Sequence, residues 1–185
     1  MSLDSCRPNV ENRATAVSIG DGLALTVAHS FDDARSVRLI GDGGNEVDAE
    51  LVMLDRDRDI AVLAFQQNAF GPVASQGLEI RSDGDDPLDT ARVVVHRRDG
   101  TFVAPVTILR RVTVTLDGEG RRDGIEIEAE IERGDSGAPV VDDEGHIIAM
   151  VFATSRTGET AWSIAAADLL DVVDQSGDPI ELTCQ

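Results

Sequence analysis

The sequence predicts an all-β chain: two six-stranded antiparallel β-barrels and a short C-terminal helix. Three observations predict it. Short apolar runs of about four to eight residues recur along the chain, separated by turns rich in Gly, Asp and Pro. About six such runs precede and about six follow the stretch 68–90, whose Gly71, Pro72, Gly77, Gly84 and Pro87 read as an inter-barrel linker. Helical spacing of apolar residues is confined to the end, at Leu169, Leu170 and Val173.

Taken in order, residues 1–13 are polar, carry Pro8 and Asn9, and read as an N-terminal arm. The first barrel is assigned to 14–67. Residues 14–20 alternate as a strand, Asp21-Gly22 is a hairpin turn signal, and 23–27 form the next strand, which runs into His29. One helical turn is expected over 30–34. Strands over 36–40 and 46–54 are joined by Gly41-Asp42-Gly43-Gly44; a charged loop, 55–58, then leads into the apolar strand 60–65.

The second barrel is assigned to 91–164. Its strands are read at 91–96, after which Arg97-Arg98-Asp99-Gly100 turns the chain, then at 101–109 and 111–116, with a charged turn over 117–123. Residues 125–131 alternate Ile and Glu around Ala129, the mark of a half-buried strand with an acidic outer face. A hairpin over 138–153 turns at Asp142-Asp143-Glu144-Gly145, 160–165 is the last strand, and 165–185 hold the helix, through 173, and a tail.

Composition excludes several functions. With 185 residues the chain suits one domain or two small subdomains, and 42% apolar content argues against disorder. No run of ~18 apolar residues is present, so no membrane segment is expected. Met1-Ser2-Leu3-Asp4 has neither a basic start nor an apolar run, so no signal peptide is expected. The net charge is −19, from 35 acidic residues against 16 basic ones, and every basic residue is Arg; such a surface repels nucleic acid. Two cysteines and three scattered histidines make no zinc-type cluster, so neither metal nor cofactor is expected. Cys6 and Cys184 are read either as a disulfide between the termini, which implies an oxidising compartment, or as two thiols on separate tails.

The chemistry points to Gly134-Asp135-Ser136-Gly137. A serine hydroxyl is a poor nucleophile until a base takes its proton and backbone N–H groups face the oxyanion that forms. Gly134 allows the bend that aligns its own N–H with that of Ser136, and Gly137 removes a side chain where substrate approaches. His29, after Thr26-Val27-Ala28, is the candidate base. Asp59, directly before Ile60-Ala61-Val62-Leu63, is the candidate that orients it; Asp55 and Asp57 read as solvated charges, and His96 and His146 as solvated side chains beside charged turns. An α/β-hydrolase elbow fails on order, because there the Asp and His follow the serine, and here only His146 does.

In the order His29, Asp59, Ser136, these motifs resemble those of the trypsin-like serine peptidases of the chymotrypsin fold. The nearest resemblance is to compact bacterial HtrA-type protease domains: 125–141 follow their strand-then-serine pattern, and Ala161-Trp162-Ser163-Ile164-Ala165 their last strand. The resemblance covers 14–173. It implies two barrels with the site in the cleft between them, a His29–Asp59–Ser136 triad, and an oxyanion hole from the N–H groups of Gly134 and Ser136. It places Glu130 where the family sets its pocket floor, although the alternation puts Glu130 on a solvated face with Glu126 and Glu128. Val151, Phe152 and Ala153 are expected as a pocket wall, with Trp162 nearby, which favours a small or medium apolar side chain before the cut. The chain lacks the Ile-Val-Gly-Gly start whose amine pairs with the position of Asp135 in the zymogen-activated branch, so Asp135 needs another partner, Arg133 or another arginine.

The expected function is therefore a serine endopeptidase acting on polypeptides, in a secreted, periplasmic or cell-envelope setting, with any regulatory domain either absent or part of a longer parent protein. The alternative is a catalytically silent trypsin-like module that binds peptides or regulates a larger envelope protein.

Overall fold

Two β-layers meet along one apolar seam in the structure, a computed structural model that describes residues 1–7, 10–72, 76–81, 90–97, 99–116, 119–155 and 158–184. The first half carries β1 (Ser2–Ser5), β2 (Glu11–Arg13), β3 (Val17–Gly20), β4 (Leu23–Thr26), β5 (Ala34–Ile40), β6 (Glu46–Asp55) and β7 (Ile60–Phe65). They form one antiparallel seven-stranded sheet in the order β2-β1-β5-β6-β7-β4-β3. The second half carries β8 (Thr90–Arg97), β9 (Gly100–Leu116), β10 (Glu119–Glu128), β11 (Pro139–Val141), β12 (Ile147–Thr154) and β13 (Thr160–Ala165), which close into a six-stranded barrel. Helix α1 (Ala166–Val173) follows, with Leu169 and Val172 fully buried.

The β3–β4 hairpin shows how local sequence sets register. Asp21 and Gly22 have φ of 52° and 74°, the doubly positive turn whose twist matches flanking strands, and Val17 then faces Leu25. Leu25 in turn pairs with Val62, and both are fully buried. These two join Val17, Met150, Phe152, Ile164 and Leu169 in a cluster drawn from both halves, so the seam between the halves is itself a core. Separate clusters fill the first sheet, around Leu3, Phe31 and Leu63, and the second barrel, around Val93, Ile127 and Val140.

The structure departs from the sequence reading in several places. The all-β class with its C-terminal helix stands, and among the described residues the first barrel is a curled half-barrel sheet with β2 and β3 at its edges. Residues 1–7 and 10–13 are not an arm: β1 pairs with β5, and Leu3 is fully buried. One apolar side chain among polar ones is too weak a period to read. The runs 101–109 and 111–116 are one strand, and β10 takes in 119–123, expected as turn, yet ends at Glu128. Gly124 holds β10 against β13, since a Cβ there would lie 2.0 Å from the Ser163 carbonyl oxygen. The expected helical turn falls at Ala28–Phe31. Readings on Pro8, Asn9, Gly84, Pro87, Arg98 and 117–118 lie outside the described residues.

Cys6 and Cys184 form a disulfide with Cα atoms 5.5 Å apart. The tail is further held by the Ile180 N–H, which donates to the Leu51 carbonyl at 2.7 Å. Among the described residues, no helix is long and apolar enough to cross a membrane.

Candidate active site

His29 sits in the 3-10 turn Ala28–Phe31, immediately after β4 ends and Val27 is buried. Asp59 lies across from it, just before β7, where the apolar run from Ile60 anchors the chain. Its φ is 61°, a left-handed conformation that aspartate tolerates better than most residues. The Asp59 carboxylate grips His29 twice: Oδ1 accepts the His29 backbone N–H at 2.7 Å, and Oδ2 lies 2.8 Å from Nδ1. The Asp59 carbonyl also accepts the Ala28 N–H at 3.2 Å.

The carboxylate is 5% exposed and the imidazole 47%, so the ring is held from its buried edge and open on the other. The hydrogen bond to Asp59 raises the His29 pKa above its ordinary value; burial opposes this, the charges of Asp59 and Asp32 add to it, and Arg122 opposes it. With Nδ1–H donated to Asp59, the neutral ring keeps its lone pair on Nε2.

Ser136 stands in a turn braced from within. Asp135 N–H donates to the Glu132 carbonyl at 3.1 Å, and Ala138 N–H to the Asp135 carbonyl at 2.9 Å. The turn is pinned to β12 by Gly137 N–H donating to the Val151 carbonyl at 2.8 Å and Val151 N–H to the Ala138 carbonyl at 2.9 Å. It is pinned to the first half by Thr15, whose N–H donates to the Ser136 carbonyl at 2.8 Å and whose hydroxyl donates to that of Gly134 at 3.2 Å.

Gly137, at φ +91°, approaches so closely that a Cβ would lie 2.0 Å from the Thr15 carbonyl oxygen and 2.8 Å from the Thr26 hydroxyl. Thr26 ends β4, three residues before His29, so this contact sets the serine turn against the histidine segment. Among the described residues, the N–H groups of Gly134 and Ser136 donate to no other group, and no hydrogen bond joins the Ser136 hydroxyl to His29.

Asp135 is 1% exposed, and Arg97 at the end of β8 neutralises it. The guanidinium contacts both carboxylate oxygens, Nε to Oδ1 at 3.2 Å and Nη2 to Oδ2 at 2.7 Å, and Nη1 reaches Glu132 at 2.9 Å. Asp135 Oδ2 also accepts the Glu132 N–H at 2.9 Å. The partner is thus Arg97 and not the adjacent Arg133. Pairing of β8 with β11 brings Arg97 beside the serine turn, and no sequence signal marks it.

Among the expected pocket residues, Val151 and Phe152 are buried on β12 and Ala153 is half-buried, while Glu130 is exposed beyond the end of β10. Arg122, which sequence reasoning did not single out, is 6% exposed, donates from Nη2 to the Arg56 carbonyl at 3.1 Å, and lies over the Phe152 ring. His96 and His146 are half-buried beside carboxylates. Their Nδ1 atoms lie 3.0 Å from Asp42 and 3.3 Å from Asp142. Asp142, Glu144 and His146 bring three ligand-type atoms within 4.8 Å of one another, a grouping the sequence reading missed. A turn cap accounts for it, because Asp142 Oδ1 already accepts the N–H groups of Glu144 and His146.

A model of the trypsin-like peptidase domain matches residues 14–150. The chain is 33% identical over 153 residues to Protease Do-like 2, chloroplastic, of Arabidopsis thaliana, covering 79% of this chain and 24% of that protein. It is 26% identical over 163 residues to Serine endoprotease DegS of Haemophilus influenzae, covering 88% of this chain and 47% of that one. The chain therefore spans between about a quarter and a half of the length of these relatives. The crystal structure of the active form of the Rv3671c protease from M. tuberculosis superposes with a TM-score of 0.84 at 21% identity, covering 99% of this chain and 82% of that one. The match over most of the chain, on a closed barrel joined to a curled sheet, means that this chain belongs to the trypsin-like peptidase family.

Proposed function

We propose that this domain is a serine endopeptidase whose nucleophile is Ser136, with His29 as general base and Asp59 as the group that orients it. The Ser136 oxygen bonds to the peptide carbonyl carbon as its proton passes to His29 Nε2. The carbonyl oxygen takes up the electron pair and faces the N–H groups of Gly134 and Ser136. Collapse breaks the C–N bond, and His29 returns the proton to the leaving amine. Water then repeats the sequence on the acyl-enzyme, releasing the acid and restoring Ser136. The reaction calls for neither metal nor cofactor.

The observation that carries this reading is the double grip of Asp59 on His29. A carboxylate that holds both the ring and the backbone of one histidine fixes its tautomer and orientation, the role of the third triad member. The unengaged amides of Gly134 and Ser136 support the oxyanion role. The disulfide supports work in an oxidising compartment, secreted, periplasmic or of the cell envelope. The greater length of the relatives supports a setting within a longer protein.

The test is labelling with a fluorophosphonate read by intact mass. A single adduct on the wild type, absent from Ser136→Ala and His29→Ala, is the expected result; no adduct on folded wild type overturns the reading. One observation favours the second reading, a silent peptide-binding module: no hydrogen bond joins Ser136 to His29 among the described residues. Contacts of this kind are often long before substrate binds and tighten with it.

A further inference from the structure

The chain holds 35 carboxylates against 16 guanidinium groups, so partners for a buried arginine are plentiful. Arg97 found Asp135, and Arg58 found Asp171. Among the described residues, Arg122 is buried without any. There its Nη2 is bonded, to the Arg56 carbonyl, while Nε and Nη1 are closed from solvent with no hydrogen-bond partner. Leaving guanidinium N–H groups unmet in the interior is costly, and a buried cation without a counter-charge costs more still.

The position of Arg122 gives that cost a meaning. The side chain leaves β10 of the second barrel, lies 5.5 Å over the Phe152 ring on β12, and ends on the backbone of the loop between β6 and β7 in the first half. It therefore crosses the seam beside the expected pocket wall, and its charge acts on His29. Arg56 and Asp57 of the loop covering the guanidinium are exposed, and an entering chain has to displace this loop to reach it. A buried guanidinium whose Nε–H and Nη1–H are unmet can donate a charge-assisted hydrogen bond to a carboxylate.

We propose that Arg122 is a specificity residue that receives the carboxylate of an aspartate or glutamate side chain in the substrate, on the segment preceding the scissile bond. The inference rests on the peptidase reading for its place in the reaction, but not for the binding itself. A carboxylate bonded to one of these N–H groups supplies the counter-charge that Arg122 lacks. A glutamine of the same shape leaves the charge uncompensated, so discrimination falls on charge and not on size.

Two measurements test it. In the first, peptides differing only by Glu or Gln at each of the four positions before the cut are compared by kcat/KM. One position is expected to favour Glu by about tenfold or more, the scale of one charge-assisted hydrogen bond. That ratio should fall to near one in Arg122→Gln and be partly kept in Arg122→Lys. In the second, Ser136→Ala protein is titrated with the same peptides, blocked at both ends, by calorimetry, and the Glu peptide is expected to bind about tenfold tighter.

Cleavage with no Glu preference at any position overturns the inference and leaves the peptidase reading standing. Glu-selective binding without cleavage of any peptide keeps the inference and removes the peptidase reading. A Glu preference that survives in Arg122→Gln, or equal or absent binding of the two peptides, overturns the inference. The Glu–Gln comparison on protein with Arg122 intact decides the matter even where a variant fails to fold.

Discussion

Replacing Gly137 with alanine tests the assembly of the site at its tightest contact. The new Cβ would meet the Thr15 carbonyl oxygen at 2.0 Å, and real Cβ contacts of this kind do not fall below 3.0 Å, so the serine turn or the Thr15 segment has to move by at least about 1 Å. Alanine at φ +91° adds backbone strain of roughly 1–3 kcal/mol. The overpacking adds about 1–3 kcal/mol more. Gly145 supplies the control, since it too has φ +91° but its Cβ would meet nothing within 4 Å. Gly145→Ala should therefore lose only the strain, and Gly137→Ala roughly twice as much, about 2–6 kcal/mol in all. A domain stable by about 5–15 kcal/mol survives most of that range folded. The assay is urea denaturation at equilibrium, with the fluorophosphonate labelling rate measured on the folded variants. A misplacement near 1 Å lowers that rate by about 10²-fold in Gly137→Ala. Gly145→Ala, on the far side of the β11–β12 hairpin, should label like wild type. Equal midpoints and equal labelling in the two variants would refute the claim that the Gly137 contact positions the nucleophile.

The remaining predictions concern charge and covalent closure. The labelling rate should rise with pH through a midpoint above the ordinary histidine value of 6.5, because Asp59 raises the His29 pKa and the base works only when neutral. Stability runs the other way: with the folded pKa above the unfolded one, what the pair contributes is full below pH 6.5 and is lost as pH climbs through the folded value. A labelling midpoint at or below 6.5 would sink both statements. Asp135→Asn should cost about 2–4 kcal/mol, somewhat under the range for a fully buried pair, since Arg97 is 31% exposed, and should slow labelling. Glu132→Gln, at a side chain 68% exposed on the same arginine, should cost under about 1 kcal/mol, and the two variants are compared by denaturation midpoint. Replacing Cys6 and Cys184 with serine opens a loop of 178 residues and should lower stability by about 3–5 kcal/mol, read as a lower denaturation midpoint.

The parts of the fold legible in the sequence were those where period and turn agree. Asp21-Gly22 between alternating runs marked its hairpin, and Leu169, Leu170 and Val173 marked the terminal helix. What could not be read depended on contacts distant in sequence. Leu3 is one apolar residue among polar ones, and only pairing of β1 with β5 buries it. The open edge of the first sheet is likewise a matter of which strands meet, and strand content alone does not encode it. In the site, His29 and Asp59 were legible because each stands at the end of an apolar strand, where a polar residue needs a reason. Arg97 and Arg122 carried no such mark. Both lie on strands among other charges, and nothing in their neighbourhoods distinguishes an arginine that will be buried from one that will be solvated.

The site is built as two finished pieces and a joint. His29 and Asp59 belong wholly to the first half, and their bonds need nothing from the second. The serine turn belongs to the second half, held by Arg97 through Asp135 and by Val151 through Gly137 and Ala138. Thr15 and Thr26 join the two pieces at Gly137, over an apolar cluster to which both halves contribute. Damage should therefore divide by place. Changes inside either piece should remove one function while the other survives: the His29 titration persists in Asp135→Asn, and the serine turn keeps its fold in His29→Ala. Changes at the joint should spare both pieces and still stop the reaction, because attack requires Ser136 and His29 at bonding distance and only the joint sets that distance. Arg122 crosses the same seam, from β10 to the Arg56 carbonyl, so Arg122→Gln is a change at the joint as well as in the proposed specificity.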